Sequence, residues 1–475
     1  MHLKKHLPFW FLTVSVLVSL VLPVIIQDGM FMDGLLYACI SKNLSHGQGS
    51  FWFPHYSKVY FTFFNHQPPL GFWIQSVFFK LLGDTIYVER IYSFLTALIS
   101  ACLIAILWKI VFKNEKEIKN LSWLPIFFWI IIPVCFWAYS NNMLENTMGI
   151  FDLLAIICIV RFFQIPSFYL IILSGIFIFI ASMVKGFQGL FPLVAVFFSW
   201  IIYRNISFKK MLFISLALFL IPAFIYFILL QNDSVYKSLS TYLTVRVLNS
   251  IENVVAVENR FYLVGRLFSE LLPVIIISSI LFVLTRRKCK KENSCIPFYK
   301  KHSLFFLLIG ISASFPLMVT REQRGFYLVT SLPYYALCFA IIAAPYLSHY
   351  IEKINTQRRS FKVFQIISVL LLIGSFIFSF LQIGKTSRDK ETLHDVYLIG
   401  KEVPKNTVVG STLNLWANWA LQEYFVRHYY ICMDSKITSD NEYAIVEHQD
   451  SIPVSIKTEK VKLPTIKYHL YKVIK

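Results

Sequence analysis

The sequence predicts an all-α polytopic membrane protein of about 11 transmembrane helices, with interfacial helices in the first outer loop and a small C-terminal α/β extracytoplasmic domain. Three observations carry this prediction. Of 475 residues, 57% are hydrophobic and 15% charged, too few charges to coat a soluble globule of that size. Apolar runs of spanning length, about 20 residues for a hydrocarbon core of about 30 Å, recur as far as Ile383. Between them the basic residues fall in short alternate segments, the pattern that orients membrane helices.

The runs lie at roughly 7–27, 86–112, 122–140, 147–163, 168–184, 187–203, 211–230, 267–285, 303–320, 325–347 and 363–383. The pair meeting at Lys185-Gly186 is close enough to pass for one long helix. With Lys4 and Lys5 cytoplasmic, the segments on the same side carry Lys113, Lys116 and Lys119, then Arg161, then Arg204, Lys209 and Lys210. They continue with the run from Arg286 to Lys301 and with Lys353, Arg358, Arg359 and Lys362. The long loops 28–85 and 231–266 and the tail 384–475 then fall outside. The first run lacks a small-residue cleavage site and reads as a retained span. A net charge of +19 is accounted for by these orienting segments, so nucleic acid is excluded as a partner and the lipid bilayer is the environment. The 46 Phe and 25 Tyr suit lipid-facing and interfacial packing.

Cys102, Cys135, Cys158 and Cys338 lie in spans and Cys289 and Cys295 in a basic cytoplasmic loop, so Cys39 with Cys432 is the one outer pairing open to a disulfide. Beyond residue 383, segments 407–410, 442–446 and 468–473 read as short strands and 413–428 as an aromatic-rich helix. This 384–475 unit suits a lid, a scaffold or a partner-binding module. Residues 1–383 form the transmembrane domain.

Polar groups concentrate in the first outer loop. From Asp33, the residues Leu36, Ile40 and Leu44 recur at helical spacing, a short amphipathic helix expected to lie in the headgroup plane and to end at Gly47 and Gly49. Asp33 reads either as the N-cap of that helix or as a catalytic base. A second amphipathic piece follows Pro68-Pro69 and ends at Gly83-Asp84, with Asn65-His66-Gln67 at its start.

This order of residues, Asp33-Gly34 with Tyr37-Ala38, then His66-Gln67-Pro68-Pro69-Leu70-Gly71-Phe72-Trp73, Leu82-Gly83-Asp84 and Glu89-Arg90 with Ser93, resembles the membrane glycosyltransferases of the C-type fold. The likeness is to the branch of protein O-mannosyltransferases and the bacterial aminoarabinose transferases that modify lipid A. It extends to Lys185-Gly186 and to Arg324-Gly325-Phe326-Tyr327-Leu328 with Pro333, covering roughly residues 1–345. It implies an inverting sugar transfer from a polyprenyl-phosphate donor, such as undecaprenyl phosphate, to a glycan, lipid or protein acceptor at the outer face of a bacterial cytoplasmic membrane. Asp33 would be the general base, within about 2.6–3.2 Å of the acceptor atom whose proton it removes.

The leaving lipid phosphate needs positive charge nearby. Lys185 and Arg324 match the family's basic positions; Arg246 and Arg321 are further candidates, with Arg260 and Arg266 in the same outer loops. For each arginine alone, a lipid headgroup contact is the competing reading. Tyr37, His66, Gln67, Asn142 and Glu145 are the expected substrate contacts, Glu145 alternatively pairing with a nearby base. Where the aminoarabinose transferases carry an acidic and a basic residue before Pro-Pro, this chain has His66 and Gln67, so a lysine contact to donor phosphate is lost there; His66 could titrate near neutral pH. A divalent metal stays open: Asp33, His66 and Glu145 are potential ligands without close spacing. A transporter or flippase of lipid-linked saccharides is the alternative function, and it predicts ionisable residues deep in the spans and internal symmetry.

Overall fold

The computed structural model describes residues 2–252, 254–291, 299–450 and 452–474. The first third runs α1 (His2–Ile26), α2 (Met32–Ser45), α3 (Leu70–Leu82), α4 (Val88–Val111), α5 (Lys116–Lys119), α6 (Trp123–Ile130), α7 (Pro133–Ser140) and α8 (Leu144–Gln164). Then come α9 (Phe168–Lys185), a tighter 3-10 limb Gly186–Val194, α10 (Ala195–Tyr203), α11 (Phe208–Leu229) and α12 (Asp233–Thr241). After a π-helical stretch at Tyr242–Leu248 follow α13 (Asn249–Glu252), α14 (Tyr262–Lys291), α15 (Lys300–Ser314), α16 (Leu332–Glu352) and α17 (Arg359–Phe380).

Among the described residues nine helical stretches are long and apolar enough to cross a membrane, and α6 with α7, bent by 81°, makes ten. The bend has a local cause. Ile132 precedes Pro133 and is extended, with φ −71° and ψ 123°, as the proline ring demands of its predecessor. One of the nine stretches, Phe168–Tyr203, is 36 residues long but folds back on itself. Gly186 has φ +83°, and a Cβ at Gly189 would lie 2.6 Å from the Ala181 carbonyl carbon, whereas eight residues of unbroken helix span about 12 Å. Counted as two limbs, this hairpin restores the expected eleven spans.

Contacts at the helix ends agree with the charge pattern. Lys5 pairs with Glu352 at 3.7 Å, Gln164 donates to the Ile110 carbonyl at 2.7 Å, and the Tyr203 hydroxyl meets His302 Nδ1 at 2.7 Å. Segments assigned to one side of the membrane thus meet at one end of the bundle. The side chains of Arg286 to Lys291, and the segment holding Cys295, lie outside the described residues. Asp152 departs from the helix ends: it is buried inside α8 with neither carboxylate oxygen hydrogen-bonded to a described residue.

The C-terminal domain contains α18 (Lys390–Glu402), β1 (Val408–Ser411), α19 (Leu413–Trp416), α20 (Trp419–Tyr429), β2 (Cys432–Asp434), β3 (Tyr443–Glu447), β4 (Thr458–Lys460) and β5 (Tyr468–Val473). Its sheet has the order β2-β1-β3-β5-β4. β1 pairs parallel with β2 and β3, through Val409 with Met433 and Gly410 with Ala444. β5 pairs antiparallel with both β3 and β4. The three strands read from the sequence are present; the helix expected over 413–428 is broken at Ala417-Asn418 into α19 and α20, and α18, β2 and β4 are additional.

The domain is not separate from the bundle. Its core takes in Met30, just before α2, and Leu35 in its first turns, and α2 is sandwiched between α3 and α20. This corrects the expectation of a helix resting in the headgroups: Leu35, Tyr37, Ala38, Cys39, Ile40, Ser41, Lys42 and Asn43 are all buried in protein. Of the two helices in this loop, α3 is the one that keeps an open apolar face, at Trp73, Leu81 and Leu82. Cys39 and Cys432 are both buried and unbridged.

Candidate active site

Asp33 does not cap its helix. The N-cap is Phe31, which has no side-chain cap, and Asp33 stands in the first turn of α2, where the helix field favours a negative charge. Its start is fixed from two sides. The Phe31 N–H donates to Asn141 Oδ1 at 3.0 Å, and the Met30 N–H donates to the Tyr424 hydroxyl at 3.1 Å. Gly34 packs so closely on the turn between α7 and α8 that a Cβ there would lie 2.0 Å from the Asn141 carbonyl oxygen. Gly34→Ala should therefore push α2 off this turn and lower thermal stability by about 1–3 kcal/mol; an unchanged melting curve would refute this close fit.

Asp33 opens into a cleft of about 680 Å³ whose walls include Arg246, Arg266, Glu322, Arg324 and Tyr327. Burial raises the Asp33 carboxyl above the ordinary carboxylate range, while Lys185, Arg324 and Arg246 pull it back. The balance leaves a base more avid for protons than an exposed aspartate.

The cations are held differently. Arg246 pairs with Glu322 at 2.5 Å; burial is the largest influence and opposes its charge, but Glu322, Tyr327 and Tyr37 together leave the guanidinium raised overall. Arg266 pairs with Glu270 at 2.6 Å, whose other oxygen accepts from the Val134 N–H at 2.7 Å. Arg324 is exposed, and among the described residues no side chain pairs with it. Lys185, at the C-terminus of α9, is buried and ion-paired with Glu145, its ammonium 5.0 Å from the Tyr327 ring centre. Glu145 Oε2 has no hydrogen-bond partner among the described residues.

Asp33, Arg246 and Arg324 thus share one cleft, with Lys185 behind it through Tyr327. Arg321 does not join them; its main chain bonds to Ala256 and Val257 instead. Tyr37 is buried against Phe72, and burial together with Asp33 and Glu145 holds its hydroxyl neutral. Asn142 is committed to structure, its Nδ2 donating to the Gly34 carbonyl at 3.0 Å and its Oδ1 accepting from Gln75 at 2.7 Å. Glu145 takes the pairing role. His66 packs on Phe61, ring centres 4.4 Å apart, and burial with Arg246 pushes it down to about 4. It is uncharged at neutral pH, which corrects the reading of a near-neutral titration. His66 and the half-buried Gln67 stand outside the cleft wall.

Glu322, Glu270 and Asn141 were not assigned roles from the sequence, yet they orient the cleft. Glu322 was legible in principle, being two residues from Arg324. Among the described residues no group of three or more His, Cys, Asp or Glu side chains gathers to hold a metal ion. A second, apolar cleft of about 380 Å³ adjoins Lys185, lined by Pro68, Gly186, Phe187, Leu190, Tyr226 and Leu243.

The dolichyl-phosphate-mannose-protein mannosyltransferase family profile matches residues 66–229. No curated protein matches the chain. Among solved structures, ArnT from Cupriavidus metallidurans bound to undecaprenyl phosphate aligns with TM-score 0.64 at 11% identity, over 99% of this chain and 97% of that one. The same protein in the apo state aligns with TM-score 0.64 at 12% identity, over 96% and 95%. The Archaeoglobus fulgidus oligosaccharyltransferase in the apo form aligns with TM-score 0.56 at 11% identity, over 93% of this chain and 65% of that one. The fold expected from the loop motifs, the C-type fold of membrane glycosyltransferases, is the fold of this chain.

Proposed function

We propose, with that fold as premise, that this protein transfers a sugar from a polyprenyl phosphate, with inversion, to an acceptor at the outer face of a cytoplasmic membrane. The observation that carries the reading is a carboxylate, Asp33, in no ion pair among the described residues, facing a cleft with the unpaired cation Arg324 and with Arg246, which Glu322 pairs. The acceptor atom binds between Asp33 and the anomeric carbon. Asp33 takes its proton as the bond to carbon forms, and the glycosidic bond to phosphate breaks from the opposite face.

Charge develops on the phosphate as it leaves, and the cations answer it unequally. Arg324 is free to engage two phosphate oxygens, whereas Arg246 shares its charge with Glu322. Lys185 supplies field through Tyr327 while Glu145 neutralises part of it. The polyprenyl chain fits the apolar cleft beside Gly186, whose polar lining is hydroxyls, two of which, those of Ser182 and Tyr226, bond each other at 2.7 Å. Tyr242 closes on that turn, its hydroxyl standing where any Gly186 side chain would go. That the ArnT structure is named as bound to undecaprenyl phosphate, the carrier without its sugar, supports the class of carrier; a similar carrier suits this chain's adjoining polar and apolar clefts.

The flippase alternative draws on one residue, Asp152 in the middle of α8. A single buried carboxylate makes no route across the bilayer. The test uses the full chain in lipid nanodiscs with a set of polyprenyl-phosphate sugars, following release of free polyprenyl phosphate. Arg324→Ala should weaken carrier binding roughly tenfold, the effect of removing one charge-assisted hydrogen bond pair. Carrier affinity unchanged in that variant removes Arg324 from the phosphate site, and carrier movement across vesicles without bond cleavage would favour the flippase.

A further inference from the structure

The C-terminal domain has its own cleft, about 590 Å³, unconnected with the wall residues of the Asp33 site. Its position follows from the strand order. The chain runs from β1 through α19 and α20 to β2 on one side of β1, then places β3 on the other side. The carboxyl ends of β1 and β3 therefore diverge into opposite crossovers, the switch point at which open α/β sheets leave a crevice. The cleft lies there. Glu447, His448 and Gln449 leave the end of β3, Asn418 caps α20 opposite, and Asp389 and Lys467 close the sides.

The lining is polar, and part of its bonding capacity is unspent. Among the described residues the side chains of Glu447 and Gln449 have no hydrogen-bond or ion-pair partner, while Asn418 Oδ1 accepts only from the Leu421 N–H at 3.2 Å. His448 is stacked on His469, ring centres 3.8 Å apart, which leaves its ring edge to bond outward. The charges are two carboxylates, Asp389, which pairs with Arg388 at 3.1 Å, and Glu447, and one ammonium, Lys467, which pairs with Glu391 at 3.3 Å. Such a lining repels phosphate and offers little to an apolar side chain. It suits a neutral ligand that both donates and accepts through many hydroxyls.

One wall reaches toward the base. Asp389 Oδ2 accepts from the Tyr424 hydroxyl at 3.0 Å, and that hydroxyl also accepts from the Met30 N–H at 3.1 Å, three residues before Asp33. A ligand held in this cleft is thereby held against the same support that sets α2.

We propose that this cleft is a saccharide-binding subsite that grips the acceptor's glycan away from the reacting hydroxyl. This rests on the transfer reading for its purpose, and it names the acceptor class as glycan-bearing. Binding is tested apart from turnover. Full-length protein in nanodiscs is probed by saturation-transfer NMR with maltotriose and with triacetylchitotriose, comparing wild type, Glu447→Gln, Gln449→Trp and Asp33→Asn. Saturation of at least one probe by wild type and by Asp33→Asn, weakened roughly tenfold in Glu447→Gln and lost in the cleft-filling Gln449→Trp, is the expected result. No saturation of either probe by wild type, or saturation that survives in both cleft variants, overturns it. A thermal melt of Gln449→Trp matching wild type shows that loss of signal comes from the filled cleft; if it melts early, Glu447→Gln decides alone. Failure of the transfer reading would appear as full turnover by Asp33→Asn and leaves the probe result unmoved.

Discussion

Asp33→Asn should lose transfer by about 10²–10⁴-fold, the range that a positioned general base contributes, while polyprenyl-phosphate binding and the melting temperature stay near wild type. The amide keeps the shape and removes the proton acceptor. Since no side chain relies on Asp33 to cap α2, the variant should fold. The pH profile gives a second readout with a fixed sign. With Asp33 as the proposed base, transfer needs the ionised carboxylate, so turnover should fall as pH drops through the Asp33 pKa, and burial sets that fall above the ordinary carboxylate range. Asp33→Asn should erase this acid limb from whatever activity remains. Full turnover by a folded Asp33→Asn would sink the base assignment.

The largest expected effect on stability is at Arg427. Its guanidinium, about 1% exposed, donates from Nε to Glu89 Oε1 at 3.2 Å and from Nη2 to Glu89 Oε2 at 2.7 Å. It also reaches the carbonyls of Asp84 and Thr85 and lies 5.0 Å from the Phe79 ring centre. A single group from α20 thus ties the C-terminal domain to α3, α4 and the turn between them. Arg427→Met leaves Glu89 buried and stripped of its main partner, a loss of about 3–5 kcal/mol. Thermal unfolding in detergent measures it. The pair Arg427→Met with Glu89→Gln should recover part of the loss, because no charge is then left buried. A melting curve for Arg427→Met within error of wild type would show the pair to be dispensable. Because α20 covers α2, activity should fall alongside stability in the single variant and return in the pair.

Glu89-Arg90 shows how much of the site could be read from the chain and where reading stopped. The motif marks the right place, and its neighbours Asp33, Gly34 and Pro68-Pro69 do too. Its role was not legible. Arg90 spends itself on the Gln27 carbonyl at 3.0 Å and on Asp28 at 3.3 Å, Glu89 on Arg427, and these partners lie up to 338 residues apart in sequence. Asn142 likewise stands in the second outer loop as expected but is consumed in holding Gly34. Spacing along one chain carries no information on which distant backbone will come to meet a side chain.

The eleven apolar runs, the alternation of basic turns, the loop helices and the change of character after residue 383 were all determined by the sequence itself, because the demands of the bilayer act on each segment separately: a run must be apolar over its own length, and a loop keeps its own charge. Only the tertiary structure decided that α2 is roofed by α20 and not by lipid headgroups, that Glu145 neutralises Lys185 and that, among the described residues, Arg246 is ion-paired while its cleft neighbour Arg324 is left open to a ligand. Those outcomes depend on which groups remain unpaired after every buried charge has found a partner, a sum over the whole fold that no local stretch contains.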